Sequence, residues 1–235
     1  MPQVEGMPMR WIVVLALVNL LPTPHQSPAG GGRVAGRITI LEKRNKPSPD
    51  LGSAVLYLEG AGPAAEPATR DITINDKVYR PRVIVVVVGS TVRFPNTDPF
   101  DHNVFSATEP NQFDLGLYGR GEAKGHTFTR PGLVRVYCNV HPRMVAYVVV
   151  TPNRYYAQPG VDGSFAIENV PPGQYRLHVW HERIAAEIVT DVTVGGEAAG
   201  VEDLQVALDA RGYKWRSHKN KDGQEYQTNA GLERY

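Results

Sequence analysis

The run Val83-Ile-Val-Val-Val-Val88 narrows the fold more than any other feature of this sequence. It is apolar without a break, long enough for a strand in the core of a β-sandwich and too short for a typical helix. The residues around it keep the same rhythm. Gly89-Ser90 turns the chain, Thr91 to Phe94 starts another strand, and Pro95 to Asp101 is a loop of turn formers. His102 to Ser106 resumes as a strand, residues 107–130 read as irregular around Gly116, Gly119, Gly121 and Gly125, and Pro131-Gly132 turns into Leu133-Val-Arg-Val-Tyr-Cys138. Val145 to Val150 closes the unit. Asp71 to Val150 therefore predicts a compact β-domain.

The flanks are β-like as well. Arg33 to Ile40 alternates, Glu42 to Leu51 is charged and Pro-rich, and Ser53 to Leu58 is a second strand. Gly60 to Pro67 reads as a boundary linker. Beyond the central unit, Asp162-Gly163 and Pro171-Pro172-Gly173 are turns, with strands at Ser164–Ile167, Tyr175–Trp180, Ile188–Val194 and Val201–Leu208. The segment from Asp209 to Tyr235 carries Arg211, Lys214, Arg216, His218, Lys219, Lys221 and Arg234, lacks an apolar face, and reads as a flexible tail. The formal net charge of +1 gives no global attraction to nucleic acid.

At the other end, Arg10 precedes an apolar stretch from Trp11 to Leu21, and Ser27-Pro28-Ala29 has the form of a cleavage site. Residues 1–29 thus read as a signal peptide for a periplasmic or secreted protein, with no membrane span after cleavage; the apolar stretch falls short of the ~20 residues a span needs. Cys138 is the only cysteine. A lone thiol in an oxidising compartment is exposed to damage unless something occupies it.

The occupant is suggested by Cys138-Asn-Val-His141-Pro-Arg-Met144. Side chains alternate along a strand, so Cys138 shares the inward face of Val134 and Val136. The next residues can loop back and bring an imidazole and a thioether to the thiol. His102, at the mouth of a strand after a turn-rich loop, can supply a second imidazole; His126 is the alternative. Two imidazoles, a thiolate and a weak axial thioether are the donor set of a mononuclear type 1 copper site. Zinc would prefer a tetrahedral site without Met, and a buried core cysteine beside a methionine is the reading without any metal.

The segments Phe94–Asp98, Asp101–Ser106, Phe113–Tyr118, Pro131-Gly132 and Cys138–Met144 resemble the plastocyanin/amicyanin side of the cupredoxins. The resemblance implies a Greek-key sandwich with His102, Cys138, His141 and Met144 as copper ligands, and Asn103 helping to hold the first-histidine loop against the thiolate loop. Gly36–Ile40 and Gly52–Gly60, taken with Asp162–Leu177, resemble a carboxypeptidase regulatory-like (transthyretin-like) sandwich split in two. The combination is similar to methylamine utilization proteins. The expected organisation is all-β: a small sandwich in two parts, residues 33–65 and 152–208, around a copper domain at 68–151, then the tail at 209–235.

The implied function is an exported blue copper electron carrier or relay, not an enzyme, with a redox protein of unknown identity as partner and no evident small-molecule substrate. Copper storage or delivery, and a structural β-protein with a vestigial site, are the alternatives. His181-Glu182 is no zinc-protease motif, because Ala185 stands where a second histidine is required. His178 and His181 read as surface or rim histidines. Multicopper oxidase chemistry would need His-x-His pairs, and the chain has none.

Overall fold

The computed structural model describes residues 31–226 apart from 47, 61, 63, 64 and 196–199. The leader expected over residues 1–29 lies outside the described residues. The described chain opens with β1 (Gly32–Leu41) and β2 (Val55–Gly60). Next come β3 (Thr69–Asp71), β4 (Thr73–Asn75), β5 (Val78–Arg80), β6 (Val83–Val87), β7 (Thr91–Pro95) and β8 (His102–Ser106). They are followed by β9 (Phe113–Tyr118), β10 (Ala123–Thr127), β11 (Gly132–Cys138) and β12 (Val145–Thr151). The last strands are β13 (Tyr156–Ala157), β14 (Ser164–Val170), β15 (Gly173–Trp180), β16 (Ile188–Val194) and β17 (Val201–Asp209). The fold is all-β, as the strand rhythm of the sequence predicts.

The central residues build one sandwich. Its larger sheet has the order β6-β12-β11-β8-β9 and its smaller sheet β10-β7-β3, with β4-β5 as a separate hairpin. Between the layers lie Phe94, Val104, Phe128, Val134, Val136 and Val148, together with Cys138 and Met144. A second sandwich is built from β14-β1-β17 and β13-β2-β15-β16. Its strands come from both ends of the described chain: β1 pairs with β14 and β17, and β2 with β13 and β15. Ile38, Leu56, Leu58, Phe165 and Leu177 fill that core.

The joint between the sandwiches explains why β6 has no polar face. Val86 points into the first core, while Val83 and Val85 pack with Val149, Val55 and Trp180 in a separate apolar cluster between the units. Tyr147 and Trp180 meet there with ring centroids 5.1 Å apart. Arg82, just before β6, closes the joint with a two-pronged bond to Glu182, both contacts at 2.7 Å. The forked geometry suits guanidinium against carboxylate.

Three expectations are corrected. Residues 107–130 are not irregular, since they hold β9 and β10; both are largely exposed, so they carry little apolar alternation to read. His178 and His181 are not rim residues, being 8% and 0% exposed. His178 stacks on Tyr57 and bonds Glu59 at 2.8 Å, and His181 accepts from the Arg183 backbone. Finally, the segment after β17 is not a free tail: Ala210 packs in the second core, and side-chain hydrogen bonds and ring stacking, which need no apolar face, hold residues 218–226 against the first sandwich. Residues 227–235 lie outside the described residues.

Candidate metal centre

Cys138 ends β11, whose burial alternates so that Val134, Val136 and Cys138 face the core. The neighbouring antiparallel strand β8 pairs Val104 with Cys138, which sets His102, the first residue of β8, beside the thiol. After Cys138 the chain must reverse into β12. It does so in a tight loop in which the Met144 N–H donates to the His141 carbonyl at 3.1 Å. That turn folds His141 back over the sulfur. Strand register supplies one imidazole and loop closure the other.

The ligand atoms of His102, Cys138 and His141 lie within 4.8 Å of one another. The Cys138 Sγ is 3.6 Å from His102 Nδ1 and 3.7 Å from His141 Nδ1. A metal bonded to nitrogen and sulfur at about 2.0–2.3 Å spans gaps of that size. His102 and Cys138 are fully enclosed, Met144 is 2% exposed in the same apolar cluster as the cysteine, and His141 is half-buried. Phe100 packs against both imidazoles, with centroids 5.3 and 5.7 Å away. His126 is elsewhere, stacked on Phe113 at 4.3 Å, and is not part of the cluster.

The electrostatics suit neutral imidazoles around an ionisable sulfur. Burial, with the adjacent His102 second, pushes His141 down to about 4. Burial also lowers His102, against the pull of Asp98. The Cys138 thiol is raised by burial, while backbone N–H groups of Val140, Asn103 and His141 bond its sulfur and act in the opposite direction. Those donors favour a thiolate, and a cation at the centre of the triangle would add to them.

Asp98 is the functional residue the sequence does not announce. Its Oδ2 lies 2.9 Å from His102 Nε2 and so fixes the ring with Nδ1 toward the sulfur. The same carboxylate accepts the backbone N–H groups of Asp76 and Lys77 at 2.7 and 2.9 Å. Both residues have positive φ, 54° and 58°, in the two-residue turn of the β4–β5 hairpin. Burial raises Asp98, but the Lys77 N–H, the His102 ring and the Asp76 N–H together outweigh it and hold the carboxyl below its usual range.

Asn103 touches the site through its backbone, and its side chain turns away. Its Nδ2 donates to Asp114 Oδ1 at 2.6 Å, and its buried Oδ1 has no partner among the described residues.

Residues 68–151 match the family of copper binding proteins described as plastocyanin/azurin. Residues 150–200 match a family described as polysaccharide lyase family 4, domain II. No curated protein matches the chain. Among solved structures, a purple cupredoxin from Nitrosopumilus maritimus is 27% identical over 34% of this chain and 98% of its own, with a TM-score of 0.32. A reduced amicyanin variant is 27% identical over 34% of this chain and 80% of its own, at 0.33. A copper-containing nitrite reductase from Thermus scotoductus is 24% identical over 48% of this chain and 28% of its own, at 0.35. Residues 68–151 thus fold as a β-sandwich that matches copper-binding domains of the cupredoxin class.

Proposed function

We propose that this domain holds one copper ion as a type 1 (blue) centre and that the protein is an exported electron carrier or relay. His102, Cys138 and His141 would hold the copper as the strong donors, and Met144, buried in the same cluster as the cysteine, would be a weaker fourth. The observation that carries the reading is the cluster of two imidazoles around one buried sulfur, with both sulfur–nitrogen separations matched to a metal-sized gap. Bound copper would supply one-electron chemistry, cycling between Cu(I) and Cu(II).

The chain's residues suit that task. His102 and Cys138 stand on adjacent strands of one sheet, so their separation is set by backbone pairing and changes little with the charge between them. Asp98 fixes the His102 tautomer, and Phe100 and the apolar cluster keep water from the sulfur. His141 is the ligand whose edge reaches the surface, so a redox partner protein would exchange electrons there. With Met144 as a fourth donor no position would stay open at the metal, which would disfavour a reaction on a substrate there. Export follows from the apolar stretch Trp11 to Leu21 and accords with a single, fully buried thiol.

Voltammetry and copper transfer decide between carrying electrons and delivering metal. A carrier gives a reversible one-electron wave and fast self-exchange, and it keeps its copper in the presence of a competing apo-protein. Rapid loss of copper to that acceptor, with a slow or irreversible wave, would support delivery.

A further inference from the structure

We propose that residues 213–226 are a working part of the metal centre, a strap that clamps the ligand loop Cys138–Met144 in place. This rests on the reading of His102, Cys138 and His141 as ligands. The strap touches the site at several independent points. The Tyr226 hydroxyl donates to the Cys138 carbonyl at 2.8 Å. The Lys221 backbone N–H donates to Asn139 Oδ1 at 2.8 Å. His218 Nε2 lies 3.3 Å from the His141 carbonyl, and the same ring stacks on Tyr137 at 4.3 Å with 20° between planes.

The other ligand segment is reached through a relay. Lys221 Nζ pairs with Asp114 Oδ2 at 2.7 Å, and Asp114 Oδ1 accepts from Asn103, the residue after His102. The Lys221–Asp114 pair is exposed and worth little by itself. The half-buried His218 stack and the Tyr226 bond therefore carry most of the grip.

The strap also has its own local order. Asn220 Oδ1 accepts the N–H groups of Asp222 and Gln224, the Asn220 N–H donates to the Gln224 carbonyl, and Gly223 supplies a left-handed φ of 75°. A preformed loop costs less ordering entropy when it docks. By gripping the carbonyls of Cys138 and His141, the strap resists movement of the ligand loop. By covering Tyr137, it closes the face behind Cys138 and leaves the His141 edge open.

Tyr226→Phe and His218→Ala in the full chain test the clamp. Amide hydrogen exchange over residues 138–144 is read first in the metal-free protein. Each variant should speed exchange there about tenfold, the loss of one well-made hydrogen bond or stack, while amides of β1, β14 and β17 keep their parent rates. In copper-loaded protein, release to a Cu(I) chelator should accelerate by a similar factor. Exchange and release within twofold of the parent in both variants would overturn the clamp, as would acceleration spread evenly over both sandwiches. A parent that binds copper without a blue spectrum would instead defeat the ligand reading, and the metal-free exchange would still decide the clamp.

Discussion

Asp98→Ala is the perturbation whose cost can be worked most fully from the structure. The carboxylate accepts three hydrogen bonds, from the His102 ring and from the backbones of Asp76 and Lys77. Removing it leaves a fully enclosed imidazole N–H without an acceptor, a loss of about 1–3 kcal/mol. The two backbone donors are at the surface end of a hairpin and can turn to water, so each loses only the net worth of a bond, about 1 kcal/mol. The sum is about 4 kcal/mol in the metal-free protein, a large share of a usual stability of about 5–15 kcal/mol. Copper affinity should fall about 10–100-fold, because the ring that presents Nδ1 is no longer held. Asp98→Asn separates the two roles. Its amide oxygen can keep the His102 and Lys77 bonds and give up only Asp76, so stability should drop by about 1 kcal/mol. Denaturant unfolding and copper titration of both variants are the assays. The reasoning is refuted if Asp98→Ala loses less than about 1 kcal/mol and binds copper within twofold of the parent.

Trp180→Ala should cost about 3–5 kcal/mol by emptying the joint, yet leave the copper spectrum unchanged; a spectrum that shifts would show that the joint shapes the site. Met144→Leu should keep the visible band and raise the reduction potential, and Met144→Gln should lower it, because a harder donor favours Cu(II); unchanged potentials in both would remove Met144 from the ligand set. The metal-free protein should lose stability as pH falls from about 6.5 to about 4. His141, lowered to about 4, and His102, also lowered, bind fewer protons folded than unfolded in that window. Chemical denaturation across those pH values should show the slope, His141→Gln should flatten part of it, and a flat parent profile would contradict the assigned burial.

The Cys138–Met144 loop is legible in the sequence because its information is local. Cys138, His141 and Met144 fall within one reversal between two apolar strands, and inward alternation alone places the sulfur. His102 is readable from its position at a strand mouth. Asp98 is not, because its partners Asp76 and Lys77 come from a hairpin that only tertiary packing brings to the loop. The strap escapes for a related reason: its hold on Cys138, Asn139 and His141 is made of single hydrogen bonds and one stack, which leave no hydrophobic period. β9 and β10 are obscured by exposure and by interspersed glycines. His181 reads as a surface residue because nothing local reveals that Asp50, from the loop before β2, will come within 3.5 Å of it.

The most direct test of the central claim is the visible and EPR spectrum of the protein with one equivalent of Cu(II), recorded beside Cys138→Ala. The fold brings the one thiol sulfur, fully buried, between two imidazole nitrogens. The parent should therefore show an intense thiolate-to-copper band and a narrow copper hyperfine splitting, and the variant should lose both. A colourless parent with a wide splitting, or a blue colour that survives the loss of Cys138, would contradict the account.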